Sequence, residues 1–179
     1  GDVYKRQGMH VVRLKSGDAT IFGRLDDEIE ACIGAGIAYS VIPGITSASA
    51  AVAAIGQSLT RRGRNSAVRL VTGQDVQGYA EQDWRELSAP GQVAAIYMGK
   101  RAARFLQGRL IMHGAASETP VTLVENASRP EQRIVEATLG TLPGDLDAAG
   151  MDGPCLILLG LAPRQSAATV ASLTQEIAL

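Results

Sequence analysis

Two short segments near the start of the chain combine glycine with residues that can bind a charged small molecule. The first is Ser16-Gly17-Asp18, and the second runs from Pro43 to Ser47 with the sequence PGITS. Gly17 lets the main chain approach a ligand closely, and Asp18 can accept hydrogen bonds from ammonium or hydroxyl groups. A helix that begins near Thr46 offers free N–H groups, which favour an anion such as a carboxylate. Together the two segments would suit a zwitterion that carries a ribose.

Each segment taken singly is also compatible with an ordinary turn, because strand-to-helix turns commonly use Gly, Asp, Ser and Thr. Other reactive side chains are sparse. Cys32 and Cys155 lie in apolar stretches with no second ligand-type residue at metal spacing. We therefore expect two buried cysteines that act as small hydrophobic residues, and no metal site.

The apolar pattern predicts strands that alternate with helices. The predicted strands cover residues 11–14, 39–42, 68–71, 93–97, 121–124, 133–137 and 155–159, and the predicted helices cover 26–35, about 46–56 and 101–112. This alternation is typical of an α/β fold with a largely parallel sheet, at least in the first half. Ligands of such sheets bind beyond the carboxyl ends of the strands, which is where both glycine segments fall.

Composition limits the class of protein. The chain has 179 residues, 46% of them hydrophobic, and a formal net charge of -1. It is long enough for two small domains, which we place at residues 8–65 and 66–162 with the linker at Arg61–Ser66, followed by a tail or helix at 163–179. The weak charge gives no field that would attract nucleic acid or an anionic membrane. No apolar run approaches the roughly 18 residues of a membrane span, so we expect a cytoplasmic protein.

The first seven residues, GDVYKRQ, need separate treatment. The hexapeptide from Asp2 to Gln7 matches the in-frame translation of a transposon-end sequencing adapter. We expect residues 1–7 to be foreign, and the native chain to begin upstream of them. On this interpretation the first domain is incomplete.

Six motifs of the chain occur in a recognisable order: VVRLKSGDATIFGR, VIPGITSASAAVAAIGQSLTRRG, VRLVTG, AAIYMGK, TPVTLVENASRPEQR and GPCLILLG. From about Gly8 to Ala162 the chain resembles the tetrapyrrole methylases, and within that family the uroporphyrinogen-III C-methyltransferases. The resemblance extends to the C-terminal module of multifunctional sirohaem synthases. It implies two α/β domains that bind the methyl donor S-adenosylmethionine in the cleft between them. It also implies a homodimer that methylates uroporphyrinogen III at C2 and C7, giving precorrin-2.

The resemblance also implies roles for individual residues. The expected donor-binding residues are Ser16, Gly17, Asp18, Ile21, Thr46, Ser47, Met98, Ala127 and Cys155. The family has glycine where this chain has Ser16 and Ala127, a replacement that is tolerable only if φ stays negative there. Met98 by itself would more often be a core residue than a ligand contact.

Arginine is the natural partner for the rim carboxylates of uroporphyrinogen, because its planar guanidinium pairs carboxylates through two hydrogen bonds. The candidates are Arg24 and Arg61, with Arg62 and Arg64 nearby and Met98 as a further substrate contact. The arginine-rich stretch could equally be a solvated loop. The family's catalytic acid and base lie upstream of the first motif. We therefore assign no catalytic residue within this chain and expect the chain alone to be inactive.

Two alternatives remain. A related methylase that acts on another precorrin, on rRNA or on a diphthamide precursor would share the donor loops. The segments TRRG (60–63) and ENASRPEQR (125–133) favour uroporphyrinogen instead. The second alternative is a non-catalytic nucleotide-binding module or an oxidoreductase domain, which would show GxGxxG between a strand and a helix. The sequence contains no such run.

Overall fold

A computed structural model of the chain describes residues 9–164. The foreign segment predicted at 1–7 lies outside the described residues, as does most of the predicted tail, from 165 to 179. The contacts divide the chain into two compact units, one ending at Ser47 and the other beginning at Ala48. No helix within residues 9–164 combines the length and apolar character needed to cross a membrane.

The first unit contains one helix, α1 (Leu25–Gly34), close to its predicted position. Three acidic residues in its first turn favour this start because they face the positive end of the helix dipole. Gly36 follows the end of the helix and terminates it as predicted, since this glycine has φ 64° and the N–H of Ile37 donates to the carbonyl of Cys32.

The strands predicted at 11–14 and 39–42 are wrong, because residues 9–47 contain no strand. Their apolar side chains are largely exposed, including Val12, Leu14 and Ile42. A strand persists only where a neighbouring backbone completes its hydrogen bonds, and within this unit neither segment pairs with another. An apolar run by itself therefore shows that a segment has the residue types of a strand, but not that another strand pairs with it.

The second unit is built on a mixed sheet. Its strands are β1 (Arg69–Thr72), β2 (Gln74–Asp75), β3 (Gly78–Tyr79), β4 (Ala94–Tyr97), β5 (Pro120–Glu125), β6 (Arg133–Thr138) and β7 (Cys155–Leu159). Five of them form one sheet in the order β1-β4-β7-β5-β6, while β2 and β3 form a separate hairpin. Within the large sheet β1 and β4 are parallel and every other pair is antiparallel. The largely parallel sheet is an expectation for the first half of the chain, and within this sheet the one parallel pair is β1 with β4. Short connections such as the one from β5 to β6 cannot make the crossover that a parallel pair needs.

Helices cover both faces of this sheet. The helices are α2 (Ser47–Ala54), α3 (Trp84–Leu87), α4 (Ala103–Met112) and α5 (Leu142–Ala149). One face packs against α3, α4 and α5, with Ile96 and Ile157 at its centre. The other face packs against α2 through Ala51, Val52 and Ile55. Alternate residues of each strand point to opposite faces, so the apolar strands supply both cores.

The predicted linker is an ordered turn. The side chain of Asn65 accepts a hydrogen bond from the N–H of Arg61 and donates to the carbonyls of Leu59 and Ala67. Residues 48–65 belong by their contacts to the second unit rather than to the segment that precedes it. The domain boundary near residue 65 stays a prediction.

Candidate functional site

The two glycine segments meet within the first unit. A Cβ on Gly44 would overlap the carbonyl oxygen of Gly17. Gly17 itself has φ 76°, and a Cβ on it would lie 3.7 Å from the carbonyl oxygen of Ile45 and 3.9 Å from Oγ of Ser47. Only glycine at position 44 permits this approach without a shift of the backbone. The result is a pair of exposed loops whose main chains touch.

Asp18 is oriented by its own turn. One carboxylate oxygen, Oδ1, accepts hydrogen bonds from the hydroxyl of Thr20 at 2.7 Å and from the N–H of Thr20 at 2.8 Å. These bonds, the hydroxyl first, hold the pKa of the Asp18 carboxyl below its usual range, with a further contribution from the N–H of Gly44. The N–H of Ile21 donates to the carbonyl of Asp18 and closes the turn. Asp18 is therefore ionised at neutral pH and fixed beside the second segment.

Lys15 connects the two ends of the loop of residues 15–23 with each other and with α1. Its ammonium group donates to the carbonyl of Gly23 and, at 2.9 Å, to the carboxylate of Glu28, which also pairs with Arg13. The pKa of Glu28 is lowered by the hydrogen bond from Lys15 first and by that from Arg13 second. The role of Lys15 is not predictable from the sequence, because no residue type in the motif indicates that its partner lies 13 positions away.

Arg24 lies at the surface, immediately before α1. Its guanidinium is 2.6 Å from the carboxylate of Asp27, and 86% of its side chain is exposed. Substrate carboxylates can reach this group, but a carboxylate that binds there must exchange with Asp27 or share the guanidinium with it.

In the second unit, Met98, Ala127 and Cys155 share one edge of the sheet. The carboxyl ends of β4 and β5 and the amino end of the antiparallel β7 meet there, since Ile96 is aligned with Ile157 and Glu125 with Cys155. Met98 is half exposed, so it is not a core residue. At the same edge the hydroxyl of Tyr97 accepts a hydrogen bond from the N–H of Ala48 in the first turn of α2.

Both cysteines are only partly buried, which corrects the expectation of fully buried residues. Cys32 lies on α1, a helix without a buried residue. Cys155 opens β7 at the sheet edge. Burial raises the pKa of the Cys155 thiol to about 11, and the charge of Glu125 adds to this effect. The thiol is therefore neutral at physiological pH and is a packing contact rather than a nucleophile.

Unusual backbone conformations concentrate in the motifs. Within residues 9–164 the non-glycine residues with positive φ are Phe22, Arg24, Met98, Asn126 and Ser128. All five lie inside motifs that carry the family resemblance, and left-handed residues cluster at functional sites because the surrounding structure must hold them there. Ser16 and Ala127, which stand where the family has glycine, are not among them. These two replacements are therefore compatible with the backbone.

Arg61 and Arg62 occupy the exposed turn that Asn65 organises. Within the described residues neither guanidinium forms an ion pair, whereas Arg64 donates to the carbonyl of Ser58. Arg61 therefore presents its charge to solvent. Its position fits both alternatives of the sequence analysis, a carboxylate contact and a solvated loop.

A profile of the family described as "Tetrapyrrole (Corrin/Porphyrin) Methylases" matches residues 3–143 of the chain. The mixed α/β fold of the second unit and the paired glycine loops agree with this match. The chain belongs to the tetrapyrrole methylase family, which confirms the predicted fold class.

The chain is similar to particular members of this family. The siroheme synthase of Edwardsiella ictaluri is 46% identical over 157 residues, which are 88% of this chain and 33% of the relative. The chain thus spans about a third of the length of the curated relatives that it matches. Among solved structures, the uroporphyrin-III C-methyltransferase of Thermus thermophilus complexed with S-adenosylhomocysteine has a TM-score of 0.69 at 29% identity, covering 88% of this chain and 69% of that one. A cobalt precorrin-4 methyltransferase has a TM-score of 0.79 at 25% identity, covering 87% and 65%.

Proposed function

We propose that this chain is part of an enzyme that transfers methyl groups from S-adenosylmethionine to C2 and C7 of uroporphyrinogen III, giving precorrin-2 for sirohaem and cobalamin synthesis. The observation that carries the proposal is the contact between the loops of Gly17 and Gly44 beside an ionised Asp18. The siroheme synthase relatives favour uroporphyrinogen III over other tetrapyrroles.

The donor is an amino acid joined to a nucleoside, and the first unit fits such a molecule. Exposed main chain at Gly17 and Gly44 allows close approach, and Asp18 can accept hydrogen bonds from an ammonium or hydroxyl group. The remaining donor residues in our proposal are Ser16, Ile21, Thr46 and Ser47 in the first unit, with Met98, Ala127 and Cys155 in the second.

Substrate binding is assigned to arginine and methionine. Arg24 and Arg61 expose guanidinium groups that match the carboxylates on the rim of the macrocycle. The half-exposed Met98 offers an apolar contact for the ring system.

When bound, S-adenosylmethionine supplies a methyl group on a positively charged sulfur. Transfer breaks the carbon–sulfur bond as the new carbon–carbon bond forms, and the macrocycle then gives up a proton. The residues named here would orient the two reactants and exclude water. No residue of this chain is assigned as the acid or base.

Calorimetry with S-adenosylhomocysteine tests donor binding by the 179-residue chain. Asp18→Ala and Thr46→Val should each weaken binding, by about tenfold or more where the charge-assisted bond of Asp18 is lost. Asp26→Ala, an exposed carboxylate on α1, is the matched control and should bind as the unmodified chain does. Unchanged affinity in both test variants would overturn the donor assignment.

A chimera tests the reaction. The matching 157 residues of the Edwardsiella ictaluri siroheme synthase are replaced by those of this chain. The product formed from uroporphyrinogen III and labelled S-adenosylmethionine without oxygen is then analysed by mass spectrometry. Two added methyl groups support the proposal. No turnover of uroporphyrinogen III, with methylation of a cobalt-precorrin offered in parallel, would favour the related function.

The proposal also includes a homodimer, which the family resemblance of the sequence implies, and a cytoplasmic location, with which the ordinary composition of the chain agrees. Analytical ultracentrifugation of the purified chain tests the dimer, and cell fractionation tests the location. A monomer over the concentration range of the experiment would contradict the first of these.

A further inference from the structure

Gly153 is held by two side chains of opposite charge. It lies in the segment between α5 and β7, where its N–H donates to Oε1 of Glu125 at 2.6 Å and its carbonyl accepts from Nζ of Lys100 at 3.1 Å. Lys100 also donates to the carbonyl of Met151 at 2.5 Å. Glu125 ends β5 and Lys100 follows β4, and these are the two strands that flank β7 in the sheet. Both neighbours of β7 therefore hold the segment that leads into it.

The carboxylate in this arrangement is buried. The side chain of Glu125 is 4% exposed, and its second oxygen lies 3.3 Å from Nη1 of Arg133. Arg133 also donates to the carbonyl of Ala149, the last residue of α5, immediately before the segment that contains Gly153. A buried charge is costly unless it is fully paired, and an apolar side chain could fill the same space without that cost. The carboxylate and its partners therefore favour one backbone arrangement of this segment.

The segment that contains Gly153 packs against the turn that follows β5 and forms a hydrogen bond with it. A Cβ on Gly153 would lie 2.6 Å from the side-chain oxygen of Asn126, so this glycine permits close packing of the two residues. The N–H of Asn126 donates to the carbonyl of Pro154 at 2.9 Å, and Asn126 has the left-handed φ of 51°. Asn126 immediately precedes Ala127, and Pro154 immediately precedes Cys155.

We propose that Glu125 and Lys100 are positioning residues, which act through Gly153 to fix the backbone at Ala127 and Cys155 for binding of the methyl donor. The donor part of this inference rests on the proposed function. Neither side chain needs to touch the donor, because each acts on a backbone that does.

The thiol of Cys155 reports on the cluster without any ligand. Its pKa is about 11, raised first by burial and then by Glu125, while Lys100 lowers it. Glu125→Gln should therefore lower this pKa and Lys100→Met should raise it. Thiolate absorbance against pH, in a Cys32→Ser background, measures both shifts. If the pKa moves in neither variant, Glu125 and Lys100 do not lie beside Cys155 and cannot position its backbone, whether or not a ligand binds.

Hydrogen exchange and calorimetry test positioning itself, again on the 179-residue chain. Glu125→Gln and Lys100→Met should speed exchange of the amides at 126–128 and weaken S-adenosylhomocysteine binding, each by about tenfold, as expected for a lost charge-assisted bond. Lys100→Arg should restore both. Glu136→Gln and Arg104→Met, two exposed residues, are the matched controls and should change neither.

The outcomes separate this inference from the proposed function. Faster exchange with unchanged donor affinity would overturn the positioning role. If the unmodified chain does not bind S-adenosylhomocysteine, the calorimetry is repeated on the chimera with the Edwardsiella ictaluri siroheme synthase. A chimera that neither binds S-adenosylhomocysteine nor methylates uroporphyrinogen III would overturn the proposed function and the donor role with it. Should Glu125→Gln not fold, Lys100→Met and Gly153→Ala carry the same test, since the added Cβ displaces the Asn126 side chain. Normal exchange and normal affinity in those two variants would refute the proposal.

Discussion

Polar side chains around Gly17 form hydrogen bonds and ion pairs with neighbouring residues of the same chain. Asp18 is held by Thr20, and Arg24 is paired with Asp27. A group that is already oriented loses less conformational entropy when a ligand binds, so these local bonds favour affinity. Arg24, however, must exchange its partner Asp27 for a substrate carboxylate or share its guanidinium between them. Its contribution to substrate affinity therefore depends on the charge of the ligand.

The bond from Thr20 to Asp18 predicts a pH effect. The pKa of Asp18 is lower when folded than the ordinary 3.8, so its stabilising effect is complete above that pH and is lost as pH falls through the folded pKa. Thr20→Val removes the hydroxyl, the largest cause of the shift, and should raise the pKa toward 3.8. Carboxyl carbon chemical shifts measured against pH give the value. Thr60→Val, in an exposed position elsewhere, should leave it unchanged, and an equal change in both variants would contradict the assignment.

Charge reversal at Arg24 separates a substrate contact from a structural one. Arg24→Glu should weaken uroporphyrinogen III binding by tenfold or more, about the effect of a lost charge-assisted pair, and leave S-adenosylhomocysteine affinity unchanged. Arg104→Glu is a matched control because Arg104 is also exposed and paired with an aspartate, Asp147. Anaerobic fluorescence titration measures both ligands. Equal losses for the two ligands would show that Arg24 acts on the fold.

At the scale of elements, the sequence predicted the helices and strands whose position depends on residues close to them in the chain. Helix α1, its end at Gly36 and the strands of the large sheet were predictable from periodicity and turn residues. Helix α5 was missed because Pro143-Gly144 resembles a break, whereas proline is favoured in a first helical turn. The strands of the β2–β3 hairpin are two residues each, too short for a periodic signal.

The candidate site divides in the same way. The loops of Gly17 and Gly44 were predictable because each is one continuous motif. The hydrogen bonds of Glu125 and Lys100 to Gly153 were not predictable. The partners are 28 and 53 positions away from Gly153, and they meet it only because β7 lies between β4 and β5 in the sheet. The insertion order of strands is a property of the whole sheet, which pattern analysis along one chain does not contain.

Lys15 connects the loop of residues 15–23 to α1. Lys15→Met removes the donor to the Gly23 carbonyl and leaves Glu28 with Arg13 alone. The pKa of Glu28 should rise toward the ordinary 4.5, and the amide of Ile21 should exchange faster because the loop ends are released. Two-dimensional NMR gives both quantities. Lys15→Arg, which keeps the charge, should restore the Glu28 pKa, and an unperturbed loop in Lys15→Met would contradict the role of this lysine.

At the scale of the whole molecule, the second unit depends on covering both faces of one sheet. Helices α3 to α5 cover one face, and α2 covers the other through Val52 and Ile55. The chain after β7 returns to the end of α2, where the N–H of Arg164 donates to the carbonyl of Ile55. Residues 48–65 are thus an integral layer of this unit, although their sequence motif begins in the preceding loop.

This layering predicts where the second unit can be cut. A chain of residues 48–179 should unfold cooperatively, whereas a chain of residues 66–179 leaves Val93, Ala95 and Leu158 without their cover. Burial of a large aliphatic side chain contributes about 1.5–3 kcal/mol, so the loss of Val52 and Ile55 alone costs roughly 3–6 kcal/mol. That is comparable with the roughly 5–15 kcal/mol total stability of an ordinary domain.

Urea unfolding of both shortened chains measures the difference, and dye binding reports the exposed sheet face. Ile55→Ala in the longer chain should reproduce part of the loss, by about 2–5 kcal/mol, because it leaves a cavity against the sheet. Ile111→Ala, on the exposed side of α4, is the matched control and should cost far less. If residues 66–179 unfold at the same urea concentration as residues 48–179, α2 is dispensable and the boundary near residue 65 is the correct one. A lower midpoint for the shorter chain alone means that the second unit begins with α2, because its sheet needs both layers to exclude water.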